Sequence, residues 1–575
     1  MSGILVLLIA IVALGCGYIF YGKRLAKMWG VDNSRKTPAV EFNDGVDYVP
    51  TKAQVVFGHQ FASIAGAGPI NGPIQAAVFG WVPVLLWCVL GGIFFGAVQD
   101  FSSMFASVRN KGRSIGIIIE NYVGRLGKTL FLIFVYLFCI LVIAAFADIV
   151  AKSFGINANL ADSVNRSHGQ VATTSSLFIF AAIGLGFYLR NVNLDSKLGK
   201  KGATTVNTII AIVLLIVCIA IGLLCPMSIS VKTWSYIVFA YILIACVAPV
   251  WALLQPRDYL NSYLLIAMIV AAVLGIFVSN PEIKLNAFNG FTLANGTSIF
   301  PFLFVTIACG AVSGFHSLVS SDTASKQVEK ESDMLPISYG AMLIESLLGV
   351  IALIAVAAVA EGGKVPAGTP QDIFAGAVAG FLGTLHIPQE LAFTLISLSV
   401  SAFALTSLDS VARVGRLTWQ ELFLSKEDDK EDAVIPGWKK FLTNSWVATI
   451  VVLVPSYALM KVGYANIWPL FGSANQLLSV LAISAVAVYL KKIKKSNKMM
   501  IFPMIFMLCV TTVALIQIVI KQVGILAKAF SGAAADAAYN TMAAGLQTVF
   551  AVLLLILAAI VVIQCFKKLW GKEEN

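Results

Sequence analysis

The stretch GHQFASIAGAGPINGP, residues 58–73, lies where a membrane helix is expected, yet it contains four glycines, two prolines, a histidine, a glutamine and an asparagine. In hydrocarbon an unpaired backbone group costs several kcal/mol, so irregular backbone persists at membrane depth only where protein or a water-filled cavity surrounds it. Secondary transporters use interrupted helices of this kind to bind substrates and ions near the bilayer midplane. The stretch therefore predicts a transport site, with a packing kink or a re-entrant loop as the alternative.

The composition around this stretch is that of a membrane protein. Of the 575 residues, 59% are apolar and only 12% are charged, and the mean hydropathy is +0.87. A soluble protein of this size needs more charge on its surface. Many segments approach the roughly 20 apolar residues that span a bilayer, and their number predicts an all-α polytopic membrane protein with about 15 transmembrane helices.

The basic residues indicate how the chain crosses the lipid bilayer. The first predicted span, residues 4–22, is preceded by no basic residue and followed by Lys23 and Arg24. Because cytoplasmic loops collect lysine and arginine, this order predicts an N-terminus outside the cell and a C-terminus in the cytoplasm of a cytoplasmic-membrane protein. The same rule accounts for the net charge of +11 without a nucleic-acid partner.

A second irregular stretch, residues 246–261, contains Pro249 and Pro256 and lies five predicted spans after the first. The span that holds it is predicted to run in the opposite direction. Interruptions at matching depth in helices of opposite direction are typical of inverted-repeat transporters. The sequence therefore predicts an inverted-repeat (LeuT-like) core with two interrupted helices.

Charge and hydropathy divide the chain into four parts. Residues 425–442 are rich in charged side chains and predict a cytoplasmic connector. The other predicted parts are an N-terminal anchor helix with a cytoplasmic loop at 1–50, the inverted-repeat transport core at 51–424, and four transmembrane helices at 443–575.

Ionisable residues inside predicted spans are the candidates for ion coupling. His59 and His316 both fall about 10–12 Å from the inner surface, and Asp100 falls at a similar depth. Such residues usually face a cavity, an ion path or each other. Together with the hydroxyls of Ser313 and Ser317, they predict a proton or sodium site. The alternative is a set of hydrogen bonds that only holds the helices together, and for Asp409 it is an ion pair with Arg413 or Arg416.

The two irregular stretches are the predicted substrate site. Backbone groups freed there, and the N-termini of half-helices, can hold a carboxylate without a dedicated arginine. The residues predicted to line this site are Gly66, Gly68, Asn71, Trp251 and Gln255.

Motifs of soluble enzymes were not found. The sequence has no H-E-x-x-H, and Gly127-Lys128-Thr129 lacks the preceding glycine of a P-loop, so neither catalysis nor ATP-driven transport is predicted. A transition metal held by His59, His316 and a carboxylate is chemically feasible. A membrane-embedded metal-dependent enzyme or a channel that uses His59 and His316 therefore stays an alternative to a transporter, which requires no cofactor other than its coupling ion.

Several long motifs resemble the carbon starvation protein A family of bacterial and archaeal inner-membrane transporters. They lie at residues 58–73, 96–104, 249–261, 300–327, 406–413 and 468–477. The resemblance implies uptake of peptides or of pyruvate-like carboxylates during nutrient limitation, driven by protons. One local departure is Asp322-Thr323-Ala324, where smaller uncharged residues are expected.

Overall fold

The computed structural model describes residues 1–44, 48–192, 195–249, 253–424, 436–531 and 537–571. These ranges form helices and contain isolated β-bridges but no β-strand. The main helices are α1 (Gly3–Trp29), α2 (Ala53–Ile64), α3 (Gly68–Ala76), α4 (Trp81–Arg109), α5 (Arg125–Phe154), α6 (Asp162–Asn191), α7 (Asp195–Leu224), α8 (Val231–Val247), α9 (Leu254–Ser279), α10 (Ile299–Thr306), α11 (Gly314–Asp322), α12 (Glu331–Ala358), α13 (Pro370–Gly383), α14 (Gln389–Phe423), α15 (Ser445–Met460), α16 (Tyr464–Lys492), α17 (Lys498–Phe530) and α18 (Ala537–Trp570).

Most of these helices have the length and composition of membrane spans. Within the described ranges, eleven are long and apolar enough to cross a membrane, namely α1, α4, α5, α6, α7, α9, α12, α14, α16, α17 and α18. The helices α8 and α15 are shorter but also apolar. The predicted all-α polytopic membrane fold is therefore confirmed. The number of about 15 spans stays a prediction, because it also counts the short helices and the pairs α2–α3 and α10–α11 as crossings.

The predicted interruption within residues 58–73 is present. Helix α2 ends at Ile64, Ala65 leaves the helical conformation with a ψ of 70°, and α3 begins at Gly68. Pro69 lies in the first turn of α3, where the missing N–H of proline costs no hydrogen bond. The break therefore ends one half-helix and starts the next within three residues.

A second interruption lies between α10 and α11, at residues 307–313. The two breaks pack directly against each other. A Cβ added at Gly72 would lie 2.7 Å from the carbonyl oxygen of Thr306, and one added at Gly68 would overlap the side chain of Cys309. The two interrupted helices therefore cross at their breaks, and glycine permits the close approach.

The prediction that residues 246–261 interrupt a single helix is wrong. Helix α8 ends at Val247, and α9 begins at Leu254. Arg413, near the C-terminal end of α14, contacts the end of α8, whereas Thr406, two turns earlier, contacts Asn261, the eighth residue of α9. Helices α8 and α9 thus run in opposite directions along α14. This stretch therefore ends one helix and begins another, and the predicted inverted repeat built on this break stays a prediction.

Most of the basic connections gather at one end of the bundle. Arg109 pairs with Glu331 at 2.6 Å and donates to the carbonyl oxygen of Gly30 at 2.7 Å. Trp29 donates to the carbonyl oxygen of Ser496, within the lysine-rich connection between α16 and α17. We call this the basic end of the bundle. It brings together connections that the charge pattern predicted to share one side of the membrane.

The four C-terminal helices are not a separate unit. Of the predicted connector, residues 425–435 lie outside the described residues, and the remainder includes a short helix, Gly437–Leu442. Helices α15 to α18 follow it. Helix α16 is buried along the whole of its most apolar part and packs against α4, α5, α10 and α11. The structure thus places one of these four helices inside the predicted transport core.

Gly72→Ala is expected to lower the free energy of unfolding by about 1–3 kcal/mol, because its methyl group would press on the backbone of Thr306 and Ile307. Gly58→Ala in α2 is the matched control, since no atom lies within 4 Å of the added carbon. The control should be stabilised by up to about 1 kcal/mol, the gain typical of alanine over glycine in a helix. Thermal unfolding of the purified protein in detergent measures both. A Gly72→Ala protein that melts no lower than wild type would contradict the observed crossing.

Candidate functional site

The second interruption leaves backbone groups that neighbouring helices satisfy. Ser313 has extended backbone and directly precedes α11, and its carbonyl oxygen accepts a hydrogen bond from Gln99 Nε2 of α4 at 2.6 Å. The side chain of Asn475, on α16, accepts the N–H of Phe315 at 3.2 Å and donates to Ser313 Oγ at 3.0 Å. A helix start leaves N–H groups unpaired. Asn475 therefore caps α11 from another helix.

One turn into α11, the imidazole of His316 lies between two carboxylates. His316 Nδ1 is 3.2 Å from Asp100 Oδ2 of α4, and His316 Nε2 is 3.4 Å from Glu345 Oε2 of α12. All three side chains are fully buried. We call Asp100, His316 and Glu345 the His316 cluster. It joins three helices beside the place where the two interrupted helices cross.

The His316 cluster carries more negative than positive charge when its groups are ionised. Two carboxylates beside one protonated imidazole have a net charge of −1, and beside a neutral imidazole −2. Burying an uncompensated charge away from water is costly. The cluster is therefore suited to hold an additional proton or another cation, which brings its charge closer to zero.

The structure brings two of the predicted coupling residues, His316 and Asp100, into contact, and it places Ser313 and Ser317 within one turn of His316. Ser317 Oγ donates to the carbonyl oxygen of Gly314, and Ser313 Oγ accepts from Asn475. These hydroxyls therefore stabilise the start of α11. Their use as sodium ligands stays a prediction.

His59 lies on α2 beside Gln60, which faces α11 and donates from Nε2 to Ser320 Oγ at 2.8 Å. Successive helical residues point about 100° apart, and the side chain of His59 is half-buried. The group of potential metal-ligating atoms around His316 comprises Cys309 and Glu345 without His59. The role predicted for His59 in coupling stays a prediction.

Sequence reasoning missed three residues of this site, Glu345, Cys309 and Asn475. Glu345 is the only charged residue in the apolar segment Ala341–Ala358. An isolated ionisable residue in a membrane span is a candidate functional residue, so the sequence alone could have identified Glu345. Asn475 likewise lies with Gln476 in a helix that is long and apolar enough to cross a membrane. Cys309 lies in the predicted span that holds His316, but nothing in the sequence relates it to α12.

Among the predicted substrate residues, those of the first interruption lie at the crossing. Gly66 packs against Ser407 of α14, and Gly68 packs against Cys309. Asn71 is fully buried, and neither amide atom has a hydrogen-bond partner among the residues that the structure describes. The amide nitrogen of Gln75, one turn further along α3, is also buried without a hydrogen-bond partner among these residues. An unpaired buried amide is expensive unless a ligand satisfies it, so α3 presents a polar face that is ready to bind one.

The substrate residues predicted from the second stretch cannot be placed in this way. Trp251 lies outside the described residues, and so does the side chain of Gln255. Both therefore stay predictions.

Asp409 belongs to a second buried ionic group. It pairs with Arg257 of α9, and Tyr241 of α8 donates to Asp409 Oδ2 at 2.6 Å. Arg413 instead donates to the carbonyl oxygens of Ala245 and Ala248 at the end of α8. The expected pairing of Asp409 with Arg413 or Arg416 is therefore wrong. Arg257, in the first turn of α9, occupies this carboxylate instead.

Comparisons with known proteins agree with the resemblance in the motifs. The profile of the family described as "Carbon starvation protein CstA" matches residues 2–367 and 359–514. A protein named "Pyruvate/proton symporter BtsT", from Escherichia coli (strain K12), is 33% identical over 593 residues, covering 87% of this chain and 79% of the relative. A protein named "Peptide transporter CstA", from Bacillus subtilis (strain 168), is 29% identical and covers 100% of this chain and 98% of the relative.

Solved structures overlap less closely. A manganese transporter from Eremococcus coleocola superposes with a TM-score of 0.46 at 11% identity, covering 91% of this chain and 98% of that chain. An overlap at this level assigns neither fold nor substrate.

Asp409→Asn is expected to destabilise the protein by about 3–5 kcal/mol, because it removes the charged carboxylate from a fully buried ion pair with Arg257. Glu421→Gln is the comparison, since Glu421 pairs with Lys128 near the surface and its loss should cost no more than about 1 kcal/mol. Replacing both Arg257 and Asp409 by apolar residues should recover much of the loss. Unfolding midpoints in detergent report all three. Equal effects of Asp409→Asn and Glu421→Gln would contradict a tight buried pair.

Proposed function

Because this chain belongs to the carbon starvation protein CstA family, we propose that it is a secondary active transporter that imports peptides or small carboxylates such as pyruvate during carbon or nutrient starvation. The relatives are named as a pyruvate/proton symporter and as peptide transporters. The chain is a multi-pass membrane protein. We place it in the cytoplasmic membrane of a bacterium or archaeon, with the basic end, which holds most of the lysine- and arginine-rich connections, in the cytoplasm and the N-terminus outside.

The His316 cluster is the observation that carries the coupling part of the proposal. Its two carboxylates and one imidazole are buried side by side where three helices meet. A cation bound there changes the charge of the cluster and so changes the cost of keeping it away from water. Binding of the coupling ion can therefore favour one arrangement of these helices over another. A proton suits a histidine between two carboxylates, and sodium, which prefers oxygen ligands, is the alternative.

Substrate binding is assigned to the crossing of the two interrupted helices. The N-terminus of α3, at Gly68, leaves N–H groups that attract an anion. Asn71, one turn into the same helix, adds a buried amide that has no hydrogen-bond partner in the described part of the chain. Binding one carboxylate group is enough to hold pyruvate. A peptide also requires capture of its amino terminus, for which the buried carboxylates beside His316 are the candidate acceptors.

Other classes of function are not favoured. The curated relatives reported above are named as transporters and not as enzymes. A channel would contain a similar polar region, but it would not accumulate its substrate against a concentration difference. Accumulation is therefore the property that separates the two.

Uptake of labelled pyruvate and of labelled di- and tripeptides into proteoliposomes tests the proposal. An imposed proton gradient, acidic outside, should drive concentrative uptake of one class, and a sodium gradient alone should not. His316→Gln should abolish accumulation while substrate exchange without a gradient persists in part, because binding and coupling are separable.

His168→Gln serves as the matched variant, since His168 is also buried beside a carboxylate, but that carboxylate is Asp372 of α13 and not part of the His316 cluster, and the variant should still accumulate substrate. If His316→Gln accumulates substrate as wild type does, the cluster is not the coupling site. Flux that only equilibrates would indicate a channel.

Asn71→Ala should raise the KM for uptake by about 10- to 100-fold, the effect expected when one hydrogen bond to a charged group is lost. Gln522→Ala is the control, because Gln522 is also a buried amide but donates to Gln547 in the C-terminal helices. Its KM should match wild type. Initial rates over a range of substrate concentrations give both values, and an unchanged KM in Asn71→Ala would exclude Asn71 from the substrate site.

A further inference from the structure

The second interruption brings a thiol next to the His316 cluster. Cys309 lies within the break, and its sulfur, a ring nitrogen of His316 and a carboxylate oxygen of Glu345 all lie within 4.8 Å of one another. All three residues are buried, and they come from the break, from α11 and from α12. Sulfur, imidazole and carboxylate are the side-chain ligands of zinc and of the metals that resemble it.

The orientation of His316 is that of a metal ligand. Its Nδ1 faces the carboxylate of Asp100 at 3.2 Å, so Nε2 faces Glu345 and Cys309. Metal-binding histidines almost always place the second ring nitrogen against a carboxylate, carbonyl or water, which fixes the ring and strengthens the ligand. Asp100 stands in the position of that orienting carboxylate.

The atoms that face the middle of this group lack hydrogen-bond partners. Within the described part of the chain, neither His316 Nε2 nor either carboxylate oxygen of Glu345 forms a hydrogen bond, although both side chains are fully buried. His316 Nε2 and Glu345 Oε2 therefore lie only 3.4 Å apart while both lack a hydrogen bond. Buried polar atoms without partners are costly, and one cation between them would satisfy both.

The sulfur of Cys309 accepts a hydrogen bond from α16. Asn475 Nδ2 donates to Cys309 Sγ at 3.7 Å, and the same amide nitrogen also donates to Ser313 Oγ. Hydrogen bonds to a sulfur ligand stabilise its negative charge and orient it towards the metal. The capping residue of α11 therefore also supports the thiol.

We propose that Cys309, His316 and Glu345 bind a divalent transition metal of the zinc type, with Asp100 as a positioning residue. Ligand bonds of about 2.0–2.3 Å would draw the most distant ligand atoms about 1 Å closer together. Three protein ligands leave one coordination position open for water. The hard ions Mg²⁺ and Ca²⁺ are excluded, because they require oxygen ligands. If the proposed function is correct, the metal competes with the coupling cation for His316 and Glu345.

Cobalt is the probe of choice, because a thiolate ligand to Co²⁺ produces an intense near-ultraviolet charge-transfer absorption. Purified full-length protein in detergent should bind one equivalent of Co²⁺ with this absorption, and Zn²⁺ should displace it. Cys309→Ser should lose the thiolate band. Cys139→Ser is the matched control, since Cys139 is equally buried but packs against Gly415 on α14, and it should keep the band.

Asp100→Asn should keep the thiolate band but weaken Co²⁺ binding by about 10- to 100-fold, the usual effect of removing an orienting carboxylate. A role of Asp100 in stability alone would leave the affinity unchanged. Wild-type protein without a thiolate band, or a band that survives in Cys309→Ser, overturns the proposal whatever the variants do to folding. The Co²⁺ absorption is measured without a substrate gradient, so it reports metal binding whether or not the protein transports. A failure of the proposed metal site can therefore be distinguished from a failure of the proposed transport function.

Discussion

The irregular backbone of the second interrupted helix depends on one face of α16. Trp468 Nε1 donates to the carbonyl oxygen of Thr306 at 3.1 Å, and Gln476 Nε2 donates to that of Phe304 at 2.6 Å. Gly472 lies between them, where any side chain would collide with the carbonyl of Val305. In lipid these carbonyls would be unpaired at a cost of several kcal/mol each. Helix α16 must therefore be buried for the second break to exist.

The same constraint explains where the functional groups lie. Once α16 holds α10 and the break, the break can pack on Gly68 and Gly72 of the first interrupted helix. That crossing sets the start of α11 and so sets the position of His316 between α4 and α12. Polar side chains that would be expensive elsewhere in the bilayer are thus concentrated where backbone is already irregular and where helix N-termini offer positive ends.

The buried charges of this protein fall into two kinds. Arg257 and Asp409 balance each other, and such a pair holds helices together without an external ion. The His316 cluster has no basic partner of that kind in its described contacts and faces two carboxylates with a single imidazole. Only the second kind has a charge that depends on what it binds. This difference, more than burial itself, distinguishes a site for a transported or coupled cation from a structural ion pair.

Composition, hydropathy and glycine–proline content were enough to assign the class of the protein, because each of them acts locally along the chain. They placed the helices in a membrane, marked the break at residues 58–73 and picked out His316 and Asp100 as ionisable residues in apolar spans. No local sequence pattern indicated which helices contact each other. Residues 307–313 contain one glycine and no proline, so their interruption is decided by α16, whereas residues 246–261 proved to end one helix and begin another. Likewise, the sequence did not indicate that Glu345 and Cys309 join His316, because depth along a helix gives no information about which face meets which neighbour. Only the tertiary packing supplies that information.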